Sequence, residues 1–301
     1  MTTSDAAASS SLRCSFAADS RGDPLFGTAA FAKGFLLIEH PGAWGNSALT
    51  ESQLDPKVAA IIASRAAEAS YRVLLIKRPG RDLRLPRRSW AIVDSTPGAE
   101  RMSWGQFASD EDLLDIRLGD RSHESRPGYA YLVCTHGRHD ACCALRGRPI
   151  AAAFARERPE GIWECSHIGG DRFAPNVVAL PHGFYYGRVD QAAVATIVAA
   201  HERSEVVIEL LRGRATFRPA VQAAQHFARL DTGALAANDL EPIHVAPTST
   251  GDVLVRLAHA TGYVEVVVRP TVGHVAGLLT CRATNPMHPP TFSLEHINVF
   301  E

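Results

Sequence analysis

Two cysteines and a later histidine–aspartate pair are the residues of this chain with the clearest capacity for chemistry. Cys134 and Cys143 bracket a short loop, and His167 and Asp171 follow on either side of a Gly-Gly turn. Thiolate and imidazole ligands suit zinc or an iron–sulfur cluster far better than magnesium or calcium. The sequence therefore predicts one metal centre on these four side chains.

The ligand set has alternatives. A buried cysteine is most often a small core residue, and Cys142 competes with Cys143 for one role. Cys165 alternates with His167 along a predicted strand and could point the same way, so it is a candidate ligand in place of Asp171. The Asp171 carboxylate could instead cap the following turn.

Further polar residues surround the predicted ligands. We expect His136 and His139, in the loop between the cysteines, to face solvent. Arg138, Arg146 and Arg148 lie in the same neighbourhood and could attract an acidic redox partner. A solvated basic face is the alternative interpretation.

The predicted elements place the cysteines at the end of a strand and the start of a helix. Residues 129–133 form an apolar run that indicates a strand leading into Cys134. Asp140 can cap the following helix, which puts Cys142 and Cys143 in its first turn. Free N–H groups and the positive end of the helix dipole favour thiolate there.

Turn and cap residues divide the segment that follows. Gly147 and Pro149 predict an interruption of the helix, and Asp190 predicts the cap of a later one. The resulting elements are a resumed helix over 150–156, a strand over 163–167, a hairpin of 176–180 with 184–188, and a helix from 190 to about 202.

Residues 129–190 resemble the cluster-binding part of the sucrase/ferredoxin-like family. Members of that family carry a thioredoxin-like ferredoxin domain, in which two cysteines and two histidines of an H-x-G-G-H motif hold a [2Fe–2S] cluster. Cys134, Cys143 and His167 match this pattern, whereas Asp171 stands in place of the second histidine. A weaker likeness extends on both sides of this segment.

The resemblance implies a [2Fe–2S] ferredoxin acting in electron transfer or redox sensing, more an electron carrier than a stand-alone enzyme. The family spacing favours Cys143 over Cys142. In a cluster of the predicted geometry we expect both cysteine ligands on one iron and His167 and Asp171 on the other. A carboxylate keeps a negative charge that imidazole lacks, so it should lower the reduction potential. The sequence has no nucleotide-binding fingerprint, and a separate reductase is therefore the expected redox partner.

Other functions compete for the same residues. A thiol oxidoreductase could use Cys142 and Cys143, although such chemistry normally uses C-x-x-C. A structural zinc site could use the same ligands as the cluster. Glycoside hydrolysis, which the family name suggests, needs two opposed carboxylates, and no motif singles out such a pair.

The complete chain is predicted to be an α/β (α+β) protein. Asp55-Pro56 marks a helix start in its first half. The predicted parts are a disordered tail over 1–24, an N-terminal α/β domain over 25–120, a thioredoxin-like ferredoxin domain over 128–212 and a C-terminal α+β segment over 213–301. The predicted flanking elements are strands over 35–39, 72–77, 89–93 and 275–281, helices over 110–115 and 219–229, and a hairpin of 252–257 with 263–269.

Composition limits the partners and the compartment. A formal net charge of −1 gives no global attraction to nucleic acid. No run approaches the roughly 18 apolar residues of a membrane span, and we expect no secretory signal. The six cysteines, at positions 14, 134, 142, 143, 165 and 281, fit reduced thiols of a cytoplasmic protein better than a disulfide scaffold. The oligomeric state stays open.

Overall fold

A computed structural model describes residues 13–80, 87–125 and 127–301. In this part of the chain the fold is mixed α/β, with one large mixed sheet and a separate four-stranded antiparallel sheet. No helix within it is long and apolar enough to span a bilayer. The large sheet consists of β1 (Gly34–Glu39), β2 (Tyr71–Lys77), β3 (Arg88–Asp94), β4 (Arg101–Phe107), β5 (Ala130–Cys134), β6 (Ile162–Cys165), β7 (Val177–Leu180), β8 (Phe184–Tyr186) and β9 (Leu211–Arg214).

The remaining elements flank this sheet or form the second one. The helices are α1 (Cys14–Arg21), α2 (Ala48–Glu51), α3 (Pro56–Ala69), α4 (Ala141–Glu157), α5 (Gln191–Glu202) and α6 (Pro219–Thr232). Short 3₁₀ helices span Asp110–Asp115, Asp171–Phe173 and Ile208–Leu210. The second sheet consists of β10 (Pro242–Pro247), β11 (Val253–His259), β12 (Gly262–Val272) and β13 (Pro290–Phe300).

Two crossover helices account for the parallel strand pairs of the large sheet. Helix α3 connects the parallel strands β1 and β2, and α4 connects the parallel strands β5 and β6, since strands that run the same way need a long connection. Side chains alternate between the two faces of β1. Leu36 and Ile38 pack in the core under α3. Phe35 and Leu37 face the opposite core, which also contains Cys134.

One sheet runs through both the predicted N-terminal domain and the predicted ferredoxin domain. The strand order is β4-β3-β1-β2-β6-β5-β7-β8-β9. The antiparallel pair of β2 with β6 has only two paired positions, one of which joins Ile76 to Cys165. Ser166 extends this seam, because its N–H donates to the Leu75 carbonyl at 2.8 Å and its Oγ accepts from the Leu75 N–H at 3.0 Å. The division of this part of the chain into two domains stays a prediction.

Helix α4 is continuous, and the predicted interruption is wrong. It passes through both Gly147 and Pro149, although proline removes one backbone donor. Ile150 and Phe154 on the far side of the proline are buried in the core. This apolar packing outweighs the loss of one helical hydrogen bond.

Gly147 allows α4 to approach the end of β5. A Cβ atom at this position would collide with the backbone carbonyl oxygen of Cys134. Glycine is therefore required at position 147 because α4 passes close to the end of β5, and it does not mark the end of a helix.

Several local predictions are confirmed. Asp55, Asp140 and Asp190 each accept a hydrogen bond from a backbone N–H in the first turn of α3, α4 and α5. The predicted hairpin after the Gly-Gly turn is present as β7 and β8. The helix predicted from Pro219 is present as α6, three residues longer than predicted.

The structure corrects the extent of the N-terminal tail that the sequence predicts over 1–24. Residues 1–12 lie outside the described residues. Helix α1 begins at Cys14, which is fully buried together with Ala18. The last part of the predicted tail is therefore a packed helix, whose partners lie too far along the sequence for local patterns to indicate them.

The C-terminal sheet agrees only in part with the prediction. The hairpin of β11 and β12 is confirmed, but residues 275–281 contain no strand. Val275 in that segment is 60% exposed. The strand that pairs with β12 is β13, whose many polar residues obscure the alternation that marks a strand. Strands β4 and β10 are also absent from the sequence prediction.

We expect Gly147→Ala to destabilise the protein. In an unobstructed helix this substitution adds about 0.5–1 kcal/mol of stability, but overpacking against Cys134 should reverse the sign and remove about 1–3 kcal/mol. Urea unfolding followed by circular dichroism measures the free energy. Leu145→Ala is the control on the same helix, since Leu145 is 56% exposed. A free energy that is unchanged or higher for Gly147→Ala contradicts the prediction.

Candidate metal centre

Cys134 and Cys143 meet where β5 ends and α4 begins. Cys134 is the last residue of β5, and Cys143 lies in the first turn of α4. Asp140 fixes that turn by accepting the N–H of Cys142 at 2.8 Å. The two sulfur atoms and a ring nitrogen of His167 all lie within 4.8 Å of one another. Both cysteines are only 1% exposed.

His167 and Asp171 complete the group from the segment that follows β6. His167 Nδ1 lies 3.1 Å from Asp171 Oδ1, and Cys143 Sγ donates to the same oxygen at 3.3 Å. The Asp171 side chain is 4% exposed and that of His167 is 21% exposed. The structure thus brings together the four side chains for which the sequence predicts a metal centre.

The contact between His167 and Asp171 is an ion pair without good hydrogen-bond geometry. His167 Nδ1 is a buried nitrogen that lacks a hydrogen-bond partner among the described residues. A buried polar atom of this kind is uncommon in native structures and calls for an explanation. A metal ion bound at Nδ1 would supply the missing partner, so the residues present fit a metal.

Arg212 holds the Gly-Gly turn between His167 and Asp171. Its Nη1 donates to the Gly169 carbonyl and to Asn176 Oδ1, both at 2.9 Å, and Asn176 Nδ2 donates to the Gly170 carbonyl at 2.8 Å. Gly170 has a φ of 80°, and a Cβ there would collide with the guanidinium. Burial lowers the pKa of Arg212 to about 10, so the group stays charged at neutral pH.

The pKa values of the two neighbouring cysteines are shifted in opposite directions. Contact with Cys143 holds the pKa of Cys134 well below its usual range, although burial opposes the shift. The same contact, together with burial, raises the pKa of Cys143. Burial acts to lower the pKa of His167, but Asp171 and Cys134 raise it to about 9. A metal ion at this site would compete with protons for the sulfur and nitrogen atoms.

Two histidines of the ligand loop have different roles. The expectation that His136 faces solvent is wrong, because His136 is 3% exposed. Its Nε2 lies 2.9 Å from the Gly45 carbonyl and donates to it, which leaves Nδ1 to accept the N–H of His167 at 3.2 Å. His136 therefore positions the backbone of His167. His139 is 38% exposed and stacks on the His167 ring with centroids 3.7 Å apart.

Cys165 does not join the group. It is fully buried in the apolar core beside Cys134, its register partner on β5, and burial raises the pKa of its thiol. It lies outside the clusters of metal-ligating side chains found in the described ranges. Cys165 is therefore a core residue rather than the alternative to Asp171.

Cys142 and Cys143 enter different clusters although they are neighbours in sequence. Cys142 Sγ lies 3.8 Å from Cys14 Sγ and 3.3 Å from Cys281 Sγ. A dithiol of Cys142 with Cys143 is therefore not the arrangement in this fold. The sequence prediction missed Cys14 and Cys281, since no spacing pattern connects two isolated cysteines to a third so far along the chain.

This protein is therefore an α/β protein with a candidate metal centre. Two thiols, an imidazole and a carboxylate converge there, next to one β-α-β unit. The chain belongs to the Sucrase/ferredoxin-like family, whose model matches residues 25–213. The match runs from before β1 to β9 and includes all four candidate ligands. The predicted family resemblance is confirmed.

Solved structures of a thioredoxin-like [2Fe–2S] ferredoxin from Aquifex aeolicus are similar to part of the chain. One is 22% identical, covers 30% of this chain and 94% of the ferredoxin, and has a TM-score of 0.27. A cysteine-to-serine variant of that ferredoxin is 26% identical, covers 28% of this chain and 97% of its own, and has a TM-score of 0.25. No curated protein matches the chain.

We expect Arg212→Met to lower the free energy of unfolding by on the order of 3 kcal/mol, because it leaves buried carbonyl groups without their charged donor. The Gly169-Gly170 turn should then lose its fixed conformation, and the metal content should fall. Urea unfolding and metal analysis measure the two effects. Arg148→Met, at an exposed position of α4, is the control. Wild-type stability and metal content in Arg212→Met would refute this role.

Proposed function

We propose that this protein holds a [2Fe–2S] cluster on Cys134, Cys143, His167 and Asp171 and acts in electron transfer or redox sensing. The observation that carries the proposal is the convergence of these four donor groups, from two separate segments, inside the range that the family model matches. Thiolate with imidazole is a donor set known for such clusters. We assign residues 128–212, with the order β5-α4-β6-β7-β8-α5, to a thioredoxin-like ferredoxin domain.

The chain's own residues prepare the site in distinct ways. Cys134 and Cys143 supply sulfur from the buried side, where water is excluded. The cluster, when bound, supplies one-electron transfer. Asp171 adds a negative charge, which stabilises the oxidised form relative to a site with a second neutral imidazole. His136 fixes the backbone of His167 through the accepted N–H.

A redox partner would approach the edge formed by His139 and His167. These stacked rings are the most exposed side chains at the site, with 38% and 21% of their side chains exposed. Arg138 and Arg148 are exposed in the same helix–loop region, and their charge favours an acidic surface on the partner. We expect that partner to be a separate reductase.

The free cysteines favour a location in a reducing compartment. All six are free thiols, and disulfides are rare where thiols are kept reduced. A cytoplasmic location is therefore part of the proposal, as is the role of a carrier rather than a stand-alone enzyme.

A mononuclear zinc site on the same ligands is the second candidate. The contacts of Asp171 Oδ1 with His167 Nδ1 at 3.1 Å and with Cys143 Sγ at 3.3 Å bring the donor atoms close together. Zinc prefers four such ligands at about 2.0–2.3 Å in a tetrahedron, which suits this compact arrangement. A bridged pair of irons requires the donor groups to move further apart.

The cluster proposal predicts a reddish-brown protein after anaerobic purification. We expect equal amounts of iron and acid-labile sulfide, visible charge-transfer bands, and a paramagnetic signal after reduction with dithionite. Cys134→Ser and Asp171→Ala should each lose most of the iron and sulfide, because each removes a ligand. Elemental analysis and absorption spectra measure these changes.

Cys165→Ala is the matched control for these variants, since Cys165 is equally buried beside Cys134 but lies outside the ligand group. It should keep iron and sulfide at the wild-type level. If the wild-type protein is colourless and holds zinc on these ligands, the cluster proposal is wrong and the site is a mononuclear zinc site.

Asp171→His should raise the reduction potential of the bound cluster by on the order of 100 mV, because neutral imidazole replaces an anionic ligand. A spectroscopic redox titration measures the potential. Asp190→Asn is the control, since it removes one carboxylate charge at the cap of α5 while keeping a residue that can cap. An unchanged or lower potential in Asp171→His argues against Asp171 as an iron ligand.

A further inference from the structure

Three cysteines and an aspartate form a second cluster that the proposed function does not use. The sulfur atoms of Cys14, Cys142 and Cys281 lie 3.8, 3.3 and 3.5 Å from one another. Each of these thiols and a carboxylate oxygen of Asp140 lie within 4.8 Å of all the others. Cys14 and Cys142 are almost fully buried, and Cys281 is partly buried.

The four side chains come from three distant parts of the chain. Cys14 begins α1, Asp140 and Cys142 form the cap and first turn of α4, and Cys281 lies in the connection between β12 and β13. Cys14 and Cys281 are 267 positions apart in sequence. Local secondary structure does not explain why three thiols and a carboxylate meet here.

The sulfur spacing matches a single tetrahedral ion. A disulfide requires an S–S distance of about 2.05 Å, so these thiols are not bonded to one another. Zinc–sulfur bonds of about 2.3 Å in a tetrahedron place two sulfurs about 3.8 Å apart. All three observed distances lie at or slightly below that value.

Asp140 is placed to supply the fourth ligand. Its Oδ2 lies 3.8 Å from Cys14 Sγ and accepts the Cys281 N–H at 2.6 Å, and its Oδ1 accepts the Cys142 N–H at 2.8 Å. Each oxygen keeps a further lone pair, and the two N–H groups fix the orientation of the carboxylate, as outer-shell partners do in metal sites. A hard carboxylate beside three thiolates favours zinc over copper(I).

The position of Cys14 does not depend on these thiols alone. Asp19 on the same helix forms ion pairs with Arg146 of α4 at 2.7 Å and with Arg188 at 2.5 Å. Arg188 also donates to the Ala18 carbonyl at 3.1 Å. Helix α1 is therefore anchored next to α4 by independent contacts, which present Cys14 to the cluster.

We propose that Cys14, Asp140, Cys142 and Cys281 bind a structural zinc ion that fastens α1 and the β12–β13 connection to the start of α4. Four protein ligands make a closed site, as in structural rather than catalytic zinc centres. The site is independent of the electron-transfer proposal, although the two metals would be held by neighbouring residues of one helical turn.

Metal analysis of the 301-residue chain, expressed and reconstituted with zinc, tests the inference. We expect about one zinc per chain that Cys134→Ser retains while losing iron. Cys14→Ser and Cys281→Ser should each lose at least nine-tenths of this zinc and keep iron at the wild-type level. Cys165→Ala should keep both metals. If the first site holds zinc instead of iron, the wild-type chain should contain two zinc ions and Cys281→Ser one.

X-ray absorption at the zinc edge of the Cys134→Ser protein provides a second measurement that needs no substitution in the proposed site. Three sulfur neighbours and one oxygen support the inference. Two sulfurs with nitrogen, absence of zinc, copper in its place, or full zinc retention in both Cys14→Ser and Cys281→Ser overturns it. Iron content reports on the electron-transfer proposal separately, so the two proposals can fail independently.

Discussion

The capped first turn of α4 is the constraint on which both cysteine clusters depend. Successive residues of an α-helix point about 100° apart, so Cys142 and Cys143 must face different surroundings. Asp140 fixes the turn through the Cys142 N–H, and Gly147 lets the helix lie against the end of β5. The first turn of α4 can therefore present Cys143 to Cys134 and Cys142 to Cys14 and Cys281.

Electrostatic balance is the second condition for the candidate metal centre. The Asp171 carboxylate is buried beside the Cys143 sulfur, and unpaired buried charges are strongly unfavourable. The positive charge of His167 lies within ion-pair distance of Asp171. Arg212 places a second buried cation on the carbonyl of the adjacent turn. The polar framework of the site thus extends from the ligands to β9, which lies at the far edge of the large sheet.

Local features of this fold could be predicted from the sequence, whereas distant contacts could not. Asp140 and Asp190 lie next to the helices that they cap, so spacing alone indicates them. Pro149 misleads because tertiary packing overrides a local preference against helix. Cys14 and Cys281 meet Cys142 only through the folding of the whole chain, and a single sequence contains no signal for that meeting. The same reason accounts for the burial of His136 under its neighbours.

The narrow seam between β2 and β6 has a mechanical consequence. Its last backbone contacts are made by Ser166 with Leu75, and Ser166 immediately precedes the imidazole of His167. The two sides of the seam also share one apolar core, which contains Leu74 of β2 and Trp163 of β6. Arg72 of β2 adds a donor to the His167 carbonyl at 3.3 Å, so the backbone that carries the imidazole is held from the β1–β4 half of the sheet.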